Sequence, residues 1–151
     1  MPSSLPRTPR PTDALADPSF LFALANERHT DHPHATAWFD RQPAGFRLRI
    51  CRMVQIAFLR LLTHPDAMDG SPLSAPDAWT LYAGLLADPN IGFHHEPAHL
   101  APTWLHLARD TSAPPSVLYL AAFAIESDLS IVTLDPAYTT IPGLQANLIT
   151  P

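Results

Sequence analysis

Brief apolar runs alternate with longer ones along this chain, and clusters of proline, glycine, aspartate and asparagine separate them. Two of the brief runs, residues 14–16 (ALA) and 131–134 (IVTL), each lead straight into an aspartate, Asp17 and Asp135. Residues 46–50 (FRLRI) alternate with period two, the spacing of a strand with one buried face. Residues 91–93 and 130–133 predict further strands, and 148–149 a short last one. The longer runs have helical character. Residues 20–25 predict a short buried helix, 35–41 an amphipathic one with Pro33 at its start, and 53–62 a strongly apolar one that stops at Thr63, His64 and Pro65. The segment from Ser74 to Asp77 resembles a capping box with proline in the first turn, and opens a helix running to residue 87. Residues 100–109 and 115–127 complete the helical set, while the stretch holding Pro136, Pro142 and Gly143 is expected to be irregular.

Strands that alternate with helices in this way predict a single α/β domain, with a central parallel sheet of four or five strands flanked by helices. If runs 14–16 and 131–134 lie parallel in one sheet, Asp17 and Asp135 emerge at the same carboxyl edge, where open α/β sheets hold their ligands. Carboxylates brought together repel one another unless a cation joins them, and hard cations such as Mg²⁺ prefer oxygen ligands. Asp17 and Asp135 are therefore a candidate metal site. Residues 1–12 contain Pro2, Pro6, Pro9 and Pro11 and no apolar period, so a disordered extension is expected there and the domain is assigned to residues 13–151.

Composition narrows the class. A chain of 151 residues is long enough to bury a core unaided, and a lone cysteine, Cys51, excludes an internal disulfide and favours a reducing, cytoplasmic setting. No run approaches the roughly 20 apolar residues of a membrane span, and the N-terminus carries no signal-peptide pattern. The net charge of −5 argues against a generally basic nucleic-acid binder. Four of the nine basic residues, all of them arginine, nevertheless crowd into one region as Arg47, Arg49, Arg52 and Arg60, either as a local basic surface or as a solvated face paired with acids.

Taken in order, several segments resemble a known family. Residues 17–25 (DPSFLFALA), 32–39 (HPHATAWF), 51–63 (CRMVQIAFLRLLT), 119–125 (YLAAFAI) and 131–135 (IVTLD) are similar to the successive elements of PIN domains, in particular the VapC-type toxin ribonucleases. The resemblance implies metal-dependent hydrolysis of RNA with Mg²⁺ or Mn²⁺, a cognate antitoxin protein, and a homodimer. It also implies roles by position. Asp17 matches the first acidic ligand and Asp135 the last, with Thr133 the hydroxyl that holds Asp135 in place. Gln55 stands where the family often has Glu; its carbonyl oxygen can assist but brings no charge. Ser19 replaces the usual Asn after the first Asp, and Arg60 matches a common arginine, which makes both candidate substrate contacts. Val117 stands where active members carry an Asp, so the implied acidic site loses two of its usual charges. Asp110 and Ser116 are the nearest polar substitutes, although a loop acid is a poorer ligand than one fixed on a helix. A catalytically retired PIN domain that binds RNA or protein is the alternative reading.

Other clusters have plain explanations. His94, His95, Glu96 and His99 have a zinc-like density, but Pro97 interrupts any helical presentation. His29, His32 and His34 suit a solvated helix start, and Cys51 in its apolar junction suits a buried structural thiol. Trp38, Trp79, Trp104, Phe58 and Phe123 fall at helical spacing and are expected in the core or an interface.

Overall fold

The computed structural model describes residues 13–151; the extension expected at residues 1–12 lies outside them. Five strands, β1 (Ala14–Ala16), β2 (Leu48–Ile50), β3 (Ile91–Phe93), β4 (Ser130–Thr133) and β5 (Ala146–Leu148), form one parallel sheet in the order β3-β2-β1-β4-β5. All three residues of β1 and all four of β4 are buried. Strands covered on both faces have no polar side to display, which is why these two read as continuous apolar runs.

Six helices cover the sheet: α1 (Pro18–Ala25), α2 (His32–Asp40), α3 (Arg52–Leu62), α4 (Ala75–Leu86), α5 (Leu100–Asp110) and α6 (Pro115–Glu126). The path β1 to β2 to β3 steps in one direction and the return from β3 to β4 in the other. Right-handed crossovers then put α1 to α4 on one face and α5 with α6 on the opposite face. The packing agrees, with α1 against α2 and α3, α3 against α4, and α5 against α6. Phe20, Phe58 and Phe123 are among the largest fully buried side chains, Trp38 and Trp104 pack partly buried, and Trp79 on α4 stays 51% exposed.

Local chemistry explains the boundaries. Ser74 accepts a hydrogen bond from the Asp77 N–H at 3.2 Å, the N-cap half of the expected box. The expected strand over 46–50 keeps its alternation, with Leu48 and Ile50 buried around Arg49, but pairing covers only 48–50. Two expectations need correction. Residues 136–140 form a 3-10 helix instead of an irregular stretch, because Pro136 follows a capping aspartate, and the last strand is 146–148. The four arginines also do not pool. Arg49 pairs with Asp13 at 3.3 Å and Arg47 bonds Asn90 at the amino end of the sheet, whereas Arg52 opens α3 at the carboxyl end. Gly92 lies opposite Arg49 in β3, where a Cβ would sit 3.4 Å from the guanidinium.

Candidate metal centre at the carboxyl edge

Chain order reverses direction in the sheet at the neighbouring pair β1 and β4, and this is the point at which open α/β sheets form their crevice. The register places Ala16 opposite Val132, so Asp17 and Thr133 leave the sheet side by side. Asp17 caps α1. Its Oδ1 accepts from the Phe20 N–H at 2.8 Å and from the Ser19 hydroxyl at 2.7 Å, while Oδ2 accepts from the Thr133 hydroxyl at 2.6 Å. The same Thr133 oxygen accepts from the Asp135 N–H at 2.8 Å, and Ser19 Oγ accepts from the Leu134 N–H at 3.2 Å. Two hydroxyls thus tie the end of β1 to the end of β4. Asp135 caps the 3-10 helix, its Oδ1 accepting from the Ala137 N–H at 2.9 Å.

Asp17 is only 3% exposed. Burial pushes its carboxyl above the ordinary value, hydrogen bonds from Thr133, Phe20 and Ser19 pull it back, and the charge on Asp135 pushes the same way as burial. No ion pair among the described residues involves Asp17 or Asp135. A buried carboxylate beside a second one, with no basic side chain to balance them, is an electrostatic deficit that a cation removes. The donors are all oxygen, and Mg²⁺ is commonly held by one or two carboxylates with water and substrate phosphate completing its shell. The residues present therefore fit a hard divalent ion. Among the described residues no third acidic, histidine or cysteine side chain joins them.

The other predicted residues sit as follows. Gln55 is buried on α3, and its Oε1 accepts from the Arg52 guanidinium, outside the Asp17 network. Ser19 belongs to that network as a bracket on Asp17. Arg60 is exposed and lines a cavity of about 280 Å³ with Pro18, Ala57, Leu61 and His64 beside the start of α1. Val117 lies buried in the first turn of α6. Asp110 ends α5 and sits 3.3 Å from the His106 ring, while Ser116 is exposed. Cys51 is buried at the start of α3, and burial raises its thiol. Of the zinc-like cluster, the His94 ring packs against Phe123 and Glu96 accepts from the Tyr119 hydroxyl at 2.7 Å.

One contributor went unseen in the sequence. Tyr138, on the 3-10 helix, is buried, and burial together with the Asp17 and Asp135 charges pushes its phenol strongly upward, so it stays protonated beside the carboxylates. Its signal was Asp135 followed by proline, which caps and opens the short helix that carries it.

Ribonuclease VapC41 of Mycobacterium tuberculosis is 35% identical to this chain over 142 residues, an alignment covering 89% of the chain and 97% of that relative. The chain belongs to the VapC family. No protein-family model matches it. Solved VapC-type structures share the fold at low identity. VapBC-1 of Haemophilus influenzae matches with a TM-score of 0.68 at 12% identity, over 92% of this chain and 99% of that one. VapC20 of M. tuberculosis, described as a sarcin-ricin loop cleaving toxin, matches with a TM-score of 0.61 at 16% identity, over 87% and 98%. The five-stranded sheet is thus the VapC sheet, with the Asp17–Thr133–Asp135 network at its carboxyl edge. Among the described residues no helix is long and apolar enough to cross a membrane.

Proposed function

We propose that this chain is the toxin of a type II toxin-antitoxin pair, an endoribonuclease that cleaves RNA phosphodiester bonds with Mg²⁺ or Mn²⁺ held by Asp17 and Asp135. Membership of the VapC family supports the ribonuclease activity, and the VapBC complexes among its structural neighbours support an antitoxin partner. The observation that carries the metal-dependent reading is the buried Asp17 carboxylate, which feels the Asp135 charge and has no ion-pair partner among the described residues, at the switch point. A divalent ion held there by Asp17 and Asp135 would supply Lewis-acid stabilisation of charge developing on the phosphodiester oxygens. Thr133 and Ser19 hold Asp17 in one orientation, Thr133 also fixes the Asp135 backbone, and Tyr138 stands by as a neutral hydroxyl. Arg60, beside the start of α1, is the candidate phosphate contact. A cytoplasmic homodimer is part of the proposal, and the outer face of α4, with Trp79, Ala83 and Gly84 exposed, supports a second copy there.

The alternative, a PIN-like binding module without catalysis, is favoured by Val117 and by Gln55, whose carbonyl oxygen is occupied by Arg52. RNA cleavage separates the two. The purified chain should cut single-stranded RNA with Mg²⁺ or Mn²⁺, lose this in excess chelator, and lose it in Asp17→Asn. Equal activity of that variant and the wild type overturns the metal-site reading, and absence of cleavage with either ion supports the binding module.

A further inference from the structure

A second recess opens on the same edge of the sheet. The β2–α3 junction, the loop after β3 and the first turn of α6 all reach the carboxyl end, since α6 must run back before β4 can start. Between them lies a cavity of about 470 Å³ whose walls include Arg52, Ile56, Glu96, Trp104, Ser116 and Tyr119. We propose that this cavity is a nucleobase pocket that takes a guanine of the RNA strand; the inference rests on the ribonuclease reading above for its source of guanine.

Its two charges carry the argument. Opposite charges sharing one recess ordinarily close into an ion pair. Here they do not: among the described residues no salt bridge joins Arg52 to Glu96. Each is held by its own neighbours. The Arg52 guanidinium donates to Gln55 Oε1 and lies 4.8 Å from the centre of the Phe93 ring, and Glu96 accepts from the Tyr119 hydroxyl at 2.7 Å. A donor and an acceptor that each keep a partner of their own and line the same recess as Met53, Ile56 and Trp104 suit a planar ligand with both functions on its rim.

Guanine has that rim. Its N1–H and N2–H₂ are adjacent donors matched to the two oxygens of a carboxylate, and O6 and N7 are acceptors matched to a guanidinium. Adenine has no such donor pair and the pyrimidines are shorter. The aromatic wall fits as well: Trp104 is partly buried, lines the cavity and forms a T-shaped pair with Tyr119 at 5.2 Å between ring centres, and aromatic side chains are the usual stacking partners of unpaired bases. Glu96 and Tyr119 also explain each other, because the phenol fixes a carboxylate that would otherwise be a free surface group.

The test is equilibrium binding in excess chelator, so that no strand is cut. The probes are a uridine hexamer with one central guanosine, the same hexamer with adenosine, and guanosine monophosphate. The guanosine hexamer should bind about tenfold more tightly than the adenosine one, the discrimination expected of one good bidentate pair. In Glu96→Gln the amide oxygen still accepts from Tyr119 while its NH₂ opposes the guanine donors, so the preference should vanish. Trp104→Leu should weaken both hexamers. Equal binding of the two hexamers, or a preference that survives Glu96→Gln, overturns the proposal. Guanosine monophosphate binding as tightly as the hexamer reassigns the pocket to a free nucleotide and overturns the RNA claim. Asp17-dependent cleavage without guanine preference removes this inference alone; guanine preference without Asp17-dependent cleavage removes only the ribonuclease reading.

Discussion

Replacing Thr133 by valine deletes one oxygen and almost no volume, yet that oxygen has two obligations. It donates to Asp17 Oδ2 at 2.6 Å and accepts from the Asp135 N–H at 2.8 Å, at a position that is fully buried. A hydrogen bond to a charged group contributes about 1.5–3 kcal/mol, and a buried N–H left without a partner costs about 1–3 kcal/mol. Thr133→Val should therefore destabilise the domain by about 3 kcal/mol at neutral pH, a large share of the roughly 5–15 kcal/mol that folded domains have. The loss should depend on pH in a defined direction. The folded-state value of Asp17 is already raised, so the carboxylate opposes folding above the unfolded carboxyl range, and that opposition is complete once pH passes the folded value. Thr133 reduces it only while Asp17 is charged. The difference between variant and wild type should thus be smallest at acid pH, where only the Asp135 N–H term remains, and should grow as pH rises through the folded Asp17 value. Urea unfolding at several pH values measures this directly. A difference under about 0.5 kcal/mol at neutral pH, or one that is flat with pH, refutes the reasoning, because it would mean that the threonine hydroxyl is not holding a buried charge.

Three further outcomes follow from the same geometry. Val117→Asp should lower stability in chelator by about 2 kcal/mol, as an unpaired buried carboxylate does, and Mn²⁺ should restore it; thermal melts with and without the ion decide, and a melt insensitive to Mn²⁺ places that turn of α6 away from the metal. Arg60→Ala should weaken binding of all RNA sequences alike and reduce the slope of log affinity against log salt by about 1, whereas an unchanged slope removes Arg60 from the phosphate path. Phe58→Ala, deep in the core, should cost about 3–5 kcal/mol in chemical unfolding, and a cost near 1 kcal/mol contradicts the packing described.

The architecture was legible where burial left no choice. Residues 14–16 and 130–133 read as strands because both faces are covered, and their parallel pairing brings Asp17 and Asp135 to the same edge of the sheet. The VapC resemblance placed Thr133, but its role is wider than expected, since its hydroxyl serves Asp17 as well as the Asp135 backbone. Ser19 reads as a substrate contact in one dimension and as a bracket on Asp17 in three, because an N-cap folds the residue two positions later back onto the cap. The arginine cluster left two readings open, and the fold decides against a single basic surface for a similar reason. Residues 47, 49, 52 and 60 are close in sequence, but a strand and a helix carry them to opposite ends of the domain, and Asp13, which holds two of them, lies far upstream. Tyr138 and the Glu96–Tyr119 pair depend on contacts between distant segments and leave only a faint local trace.

The central claim is that Asp17 and Asp135 form a divalent-metal site despite the missing charges at positions 55 and 117. Calorimetric titration of the purified chain with Mn²⁺ tests it most directly, with wild type and Asp17→Asn side by side. Saturable binding in the wild type that disappears in the variant is the predicted result. Binding of equal strength in both, or none in the wild type at millimolar ion, would contradict it.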